Sequence, residues 1–273
     1  MVATVVMVVL VGLVIQITSD VLNVWNRSSG KLTANAQARI AMDLLTQDLE
    51  TAVLRNNGQQ WLRVEAEGDV GSPTAGQTVA LHLFSPAMDR PDGPGDISAI
   101  AYRLAYAPAY ESESGNAPDT FAIYRSIESP QFTFDNLMGS GDTGSPQLEL
   151  TDSLHPFWAE AAVTQPANFL AGNITDFKIY VYGIDPATDD IVAINDQDGD
   201  RKLTVPYIFG GNGASTIKPL YAEIVLTVLS DEGLRILELD EPFAGTGYSD
   251  VKDIVREFGE VFTRRVNLAA RPL

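Results

Sequence analysis

The chain has no cysteine among its 273 residues. Disulfides, thiolate metal sites and cysteine nucleophiles are therefore excluded. Histidine is almost as scarce, with two residues, His82 and His155. A Ser-His-Asp triad would need one of them beside an exposed serine and a carboxylate. No G-x-S-x-G stands in the sequence, and both histidines read as structural or surface groups. Basic residues are few: 18 Lys and Arg face 36 Asp and Glu, a formal net charge of −18. Such a surface repels phosphate backbones, which argues against nucleic acid as a partner and disfavours anionic headgroups. Glycine and proline stay near ordinary usage, so nothing is collagen-like, and no fixed-period repeat is visible.

What the sequence does have is an apolar start. Residues 2–17, VATVVMVVLVGLVIQI, hold one Thr, one Gly and one Gln in an otherwise aliphatic run, and the first charge is Asp20. As a helix the run is about 24 Å long, slightly short of a hydrocarbon core of about 30 Å. No Lys or Arg precedes it, and ITSDVLNVWNRSSGK after it is a poor signal-peptidase site. A helix apolar all round at a terminus is hard to bury in one domain. The expectation is a membrane or filament anchor, packing through Val5, Val6, Val9, Leu10, Leu13, Val14 and Ile17. With nothing charged ahead of the run, the positive-inside rule gives no orientation. The acidic remainder points to a single inner-membrane span with its head outside the cytoplasm, periplasmic or extracellular once in a filament.

The helical pattern continues past the apolar run. From Asp20 to about Arg55 there is no proline, and apolar residues fall in steps of three and four through Leu22, Trp25, Leu32, Ala36, Ile40, Leu44, Leu45, Leu49 and Val53. Ile40, Leu44, Leu45, Leu49 and Val53 are the expected helix-to-head contacts. Gly30 after Ser28-Ser29 marks a site for a kink, and Asn56-Asn57-Gly58 supplies a stop. The division is an anchor helix over 1–57 and a globular head over 58–273.

In the head, short apolar runs alternate with turn-rich stretches. Strands are expected at 60–65, 78–84, 98–106, 120–127, 174–183, 190–194, 219–229 and 234–239, and a helix at 249–258 capped by Ser249. Phe177, Ile179 and Val181 alternate with Lys178, Tyr180 and Tyr182, the pattern of a half-buried antiparallel strand. The fold class read from this is α+β: a long N-terminal helix, transmembrane then amphipathic, packed on an antiparallel β-rich head.

Three stretches resemble the prepilin-type family, the type IV pilins and type II secretion pseudopilins. They are the apolar start, the continuation QARIAMDLLTQDLETAV, and the head order AYRL (101–104), FAIYRSI (121–127), ITDFKIYVYG (174–183) and PLYAEIVLTVLSDEG (219–233). The order is similar to that of J-like minor pseudopilins and of a verrucomicrobial prepilin-type cassette group that also ends in an FTRRV-like segment. The resemblance implies a structural minor subunit with other pilin-like subunits as partners, and not an enzyme. The family's cleavage-site glycine, the aromatic after it and the nearby glutamate would fall a few residues before Met1, so the glutamate's role passes to no residue here. Two alternatives stay open: a major filament subunit, and a membrane-tethered periplasmic binding protein or hydrolase.

One local signal concerns a cofactor. Asp196, Asp198 and Asp200 alternate around Gly199, with Asp185, Asp189 and Asp190 shortly before them. Calcium takes six to eight oxygens from such loops. An EF-hand frame with Gly199 sixth puts Ile194 first and no Glu twelfth, so this is not an EF-hand. A looser calcium loop using Asp185, Asp190, Asp196, Asp198 and Asp200 stands beside a solvated acidic turn. Gly210-Gly211-Asn212-Gly213 lacks the lysine and helix of a phosphate loop and reads as a turn. Trp61, Phe157 and Trp158 read as core.

Overall fold

The computed structural model describes residues 2–55, 57–67, 78–87, 89, 91, 93–111, 118–138, 149–153, 155–196, 199, 202–211, 213–238, 247–248 and 250–268; on the first helix, the side chains of residues 2–6, 8, 9, 23, 26 and 27 fall outside that description. Helix α1 runs unbroken over Val2–Glu50, 49 residues without a proline. Gly30 does not break it. An added Cβ there would lie 3.3 Å from Asp231 Oδ2, so the glycine is a point of close approach by the head. The helix ends before Asn56-Asn57-Gly58 because the chain is captured by the head: Val53 N–H donates to the Phe84 carbonyl at 2.8 Å.

The transmembrane part of the expected fold is corrected. Among the described residues no helix is long and apolar enough to cross a membrane. A span needs about 20 apolar residues in succession at 1.5 Å per residue, and the stretch 10–22 does not sustain such a run. Within it Gln16, Thr18, Ser19 and Asp20 break the apolar surface. The inner-membrane single-span placement falls with it.

The head holds ten strands: β1 (Leu62–Glu67), β2 (Thr78–Ser85), β3 (Ser98–Pro108), β4 (Asp119–Ile127), β5 (Phe169–Gly172), β6 (Ile174–Ile184), β7 (Ile191–Ala193), β8 (Tyr207–Phe209), β9 (Pro219–Leu229) and β10 (Gly259–Asn267). Its helices are α2 (Pro130–Phe132), α3 (Glu160–Val163), α4 (Asp231–Leu237) and α5 (Val251–Phe258), with single turns between. The strands form two antiparallel sheets, one ordered β5-β4-β3-β2-β1-β8 and one ordered β10-β9-β6-β7. One residue, Asn173, carries the chain from the first sheet into the second. It sits at φ 62°, a left-handed conformation that asparagine tolerates, and its amide donates to Asp231 Oδ1 at 2.6 Å.

The main core lies where α1 meets the inner faces of both sheets. Ala34, Ala38, Ala41, Met42, Leu45 and Leu49 form the buried stripe of α1, at steps of three and four. Its upper half is alanine, which lets the helix axis come close to the sheets. Of the expected contacts, Leu45 and Leu49 lie in this stripe and Leu44 and Val53 are half-buried, but Ile40 is 55% exposed. The expected stripe followed the largest side chains, and the alanines that make the closest approach carry little hydropathy signal. On the opposite face of the first sheet Leu137, Leu150, Phe157, Trp158 and Val163 pack over Phe84 and Tyr124.

Two elements differ from expectation. Of residues 234–239, expected as a strand, 234–237 lie in α4 and Leu239 lies outside the described residues. Ser230 caps α4 by accepting from Gly233 N–H at 3.4 Å, with Asp231 and Glu232 in the first turn and Arg235 in the last. Leu234 and Leu237, three apart, are its buried residues. Gly233 is required there, because an added Cβ would lie 2.5 Å from Phe258 Cβ. The second is β10, where no strand was expected. It pairs with β9 along its whole length. Its two arginines hid the strand because both are partnered: Arg264 reaches Asp43 on α1 at 2.5 Å, and Arg265 lies 3.5 Å over the Tyr221 ring. The N-cap of α5 is Asp250, which accepts from Asp253 N–H at 3.1 Å; Ser249 lies outside the described residues.

The stripe yields a direct test. Leu45→Ala should cost about 2–5 kcal/mol in urea unfolding, as a cavity at a fully buried site. Ile40→Ala should stay within about 0.5 kcal/mol. Equal costs at the two positions would mean that α1 packs with a different face.

Candidate functional site

The part of α1 that the head does not cover is the largest exposed apolar surface of the described residues. Leu10, Val11, Leu13, Val14, Ile15, Ile17, Val21, Leu22, Val24 and Trp25 are all at least 49% exposed, and Trp25 reaches 72%. Consecutive positions 13, 14 and 15 point about 100° apart around the axis, so exposure on all three means that no side of this segment is covered. Leu10, Leu13, Val14 and Ile17 belong to the expected packing set. The side chains of Val5, Val6 and Val9 lie outside the described residues. Nothing lies within 4 Å of a Cβ added at Gly12. Patches of this kind mark interaction surfaces.

What holds this segment in place is polar and buried. Asp48, near the end of α1, is 1% exposed. Arg125 of β4 donates to it from Nε at 2.9 Å and from Nη2 at 3.3 Å, and Tyr102 of β3 donates its hydroxyl at 2.5 Å. Arg125 also reaches the half-exposed Asp89, at 2.6 Å from Nη1 and 2.9 Å from Nη2. Tyr102 and Arg125 are directly paired in the sheet and share its inner face. Burial pushes the Asp48 carboxyl up from its ordinary value, and Arg125 with the Tyr102 hydroxyl pull it back down. Burial likewise works against the Arg125 charge, but Tyr102, Asp89 and Asp48 outweigh it and hold the guanidinium protonated. No local pattern announces this cluster. Asp48 stands in a run of ordinary helix residues, and its partners lie 54 and 77 positions away.

A third feature is a polar cleft of about 550 Å³ on the outer face of the first sheet. Its floor is set by strand register: Arg63 of β1 sits opposite His82 of β2, and Ala80 of β2 lies between Glu65 of β1 and Arg103 of β3. The small Ala80 leaves the space. Asp152, Trp158 and Glu160 form the far wall. Arg63 Nε pairs with Glu65 at 2.8 Å, and Arg103 pairs with Glu67 and, at 3.7 Å, with Glu160. His82 Nδ1 lies 2.9 Å from the Leu150 carbonyl and its ring rests 4.9 Å from that of Trp158. Burial drives His82 down from its ordinary 6.5 to about 4, so the ring is neutral and Nδ1–H donates to Leu150. His155 has another task, accepting from Phe157 N–H at 3.1 Å to cap a turn. Trp61, Phe157 and Trp158 are buried.

The acidic segment is only partly within view. Asp198 and Asp200 lie outside the described residues. Asp185 closes the β6–β7 turn on itself, accepting from Ala187 N–H at 2.8 Å. Asp190 is exposed at the same turn, while Asp196 is buried beyond the far end of β7. At least about 10 Å of strand separates them, so Asp185 and Asp190 do not converge with Asp196. Among the described residues no group of three or more His, Asp or Glu is placed to hold a metal.

Comparison with family models, with curated proteins and with solved structures finds no match to this chain.

The clamp and the cleft each predict a measurable effect. Asp48→Ala leaves Arg125 without its buried counter-ion and should cost about 3–5 kcal/mol in denaturant unfolding, whereas Asp89→Ala, at the solvent edge, should cost about 1 kcal/mol or less. His82 titrates lower in the folded than in the unfolded chain, so between about 4 and 6.5 only the unfolded chain takes up the proton. Stability therefore falls as pH drops through that window, by up to about 1.4 kcal/mol per pH unit, and is level above it. Unfolding of His82→Gln measured beside the parent at pH 7 and pH 5 should show the gap moving in the variant's favour at pH 5.

Proposed function

We propose that the chain is a structural subunit of a pilin-like filament, using the uncovered part of α1 to pack against the same segment of other subunits. The observation that carries this is the exposure of aliphatic side chains all round the helix from Leu10 to Trp25. A partner that covers one side would leave the other sides wet. A bundle of parallel helices from sister subunits covers them all, and replaces water on every face. Gly12 gives room for a neighbouring helix to come close. The similarity of the apolar start and of QARIAMDLLTQDLETAV to prepilin-type subunits supports the same reading. The head is wide, with two sheets beside one helix. Such a head crowds a helical lattice, which favours a low-copy or terminal position over a repeating shaft.

Because the chain has no cysteine, a single introduced one reports contacts without background. Oxidation of Val14→Cys in the full chain should give disulfide-linked pairs, and Thr188→Cys at the β6–β7 turn should not. Leu13→Asp with Ile17→Asp should abolish assembly in sedimentation velocity while leaving the melting temperature of the head unchanged. A parent chain that stays monomeric at about 100 µM, where even weak association at about −6 kcal/mol would register, overturns the proposal.

A further inference from the structure

The segment of α1 that sister copies cover in the reading above holds a single charge. Asp20 is the only Asp, Glu, Lys or Arg among the first 26 residues. It is exposed and makes no ion pair among the described residues. We propose that Asp20 makes the association of copies pH-dependent: copies gather when its carboxyl is protonated and separate when it is charged. This rests on the packing of like segments proposed above, and it concerns what that packing does to one side chain.

Its own helix offers the carboxylate no counter-ion. Positions 16, 17, 23 and 24, three and four residues away, are Gln, Ile, Asn and Val. The nearest basic positions on α1, Arg27 and Lys31, stand seven and eleven residues on, about 10 and 16 Å along the axis. Asp20 borders a shallow hollow with Val21, Val24 and Trp25, all of them exposed. A neighbouring helix laid over that hollow takes the carboxylate from water into apolar surroundings. The head leaves this segment uncovered, so the groups that meet Asp20 in a bundle are those of sister helices. At equal height these bring Asp20 itself and no other titratable side chain between residues 2 and 26. Helices in contact lie about 8–10 Å apart, and the carboxylates repel across that space. The stalk is neutral as a whole, but its opposite charges are not level in such a bundle. Thr18 makes the contrast plain: its hydroxyl donates to the Val14 carbonyl at 2.8 Å and enters a bundle already satisfied.

Desolvation and like charge both favour the protonated carboxyl. The assembled chain therefore binds more protons than the free chain. Association strengthens as pH falls, by at most about tenfold per pH unit for one proton taken up per copy, and levels off once the free chain is protonated too.

The test is sedimentation velocity of the full chain at about pH 7.5 and about pH 5.5, where the parent should associate about tenfold more tightly at the lower value. Asp20→Asn carries no charge at either pH and should associate at the higher value as tightly as the parent does at the lower. Asp20→Glu should keep the parent's pH dependence. Asp190→Asn removes one charge from the distant, exposed β6–β7 turn. It controls for the acidity of the heads and should behave as the parent does. Both positions are exposed, so the melting temperature should not move in any of these variants. A parent that assembles equally at both pH values would overturn the role of Asp20 and leave the packing reading standing. So would Asp20→Asn with the parent's pH dependence, or no tighter than the parent at the higher pH. Parent and Asp20→Asn both monomeric at both pH values would overturn the two together.

Discussion

Asp48 enters the interior as a charged group near the end of a helix, and the placement of that helix follows from how the charge is met. Removing a carboxylate from water is costly, and the cost is offset only where several donors converge with good geometry. Tyr102 and Arg125 supply three such donors from adjacent strands, and Asp89 neutralises the far side of the guanidinium at the solvent edge. A slip of α1 by one turn would carry Asp48 about 5.4 Å along the axis, leaving Asp48 buried without partners and Arg125 with Asp89 alone. The alanine stripe above it, at Ala34, Ala38 and Ala41, would tolerate such a slip well, since small residues lie against the sheets with little shape of their own. The ion pair therefore sets the axial register that the apolar contacts leave loose. Polar pairs on both flanks of the helix, Asp43 with Arg264 and Asn35 with Glu260, reinforce the same register from β10.

That register decides how much of α1 is left over. With Asp48 fixed against β3 and β4, the head covers the helix as far as Gly30, where Asp231 closes in, and coverage stops there. The segment before it keeps its aliphatic side chains in water. The single residue Asn173 between β5 and β6 contributes to the same edge. It turns the chain from one sheet to the other, and it holds Asp231 with its side-chain amide. The point at which the head lets go of the helix is thus built from a left-handed asparagine, a helix N-terminus and a glycine, with Asp231 lying against the other two.

Much of the scaffold was legible in the sequence, and the gaps have physical causes. Long alternating runs such as 174–184 and 219–229 became β6 and β9 nearly as read, because a sheet with one face buried imposes a period of two. The α1 pattern was also readable, but its orientation was not, since alanine contributes to packing without contributing hydropathy. Leu234 and Ile236 flank Arg235 as in a strand, yet Ser230 and the acidic first turn decided for a helix. In β10, adjacent arginines masked the alternation because each found a partner on its own side of the sheet. The membrane reading failed because no helix of the described residues is apolar enough over a sufficient length, with polar residues between Gln16 and Asp20. The buried clamp and the polar cleft could not be seen at all. Each is assembled by strand register from residues dozens of positions apart, and no local spacing records it.

The distribution of charge adds a constraint on how copies of this chain can meet. Up to residue 57 the four acidic groups, Asp20, Asp43, Asp48 and Glu50, are cancelled by Arg27, Lys31, Arg39 and Arg55, so the whole net charge of −18 belongs to the head. Helices brought together meet no net repulsion, and they gain by removing aliphatic surface from water at about 25 cal/mol per Å². Heads brought together repel, over a range of about 8 Å at physiological ionic strength. Attraction through a neutral stalk and repulsion through a charged cap favour an arrangement in which the stalks converge and the caps stand apart. A wide, acidic head thus limits how many copies can gather around one axis, which is the geometric basis for the low copy number proposed above.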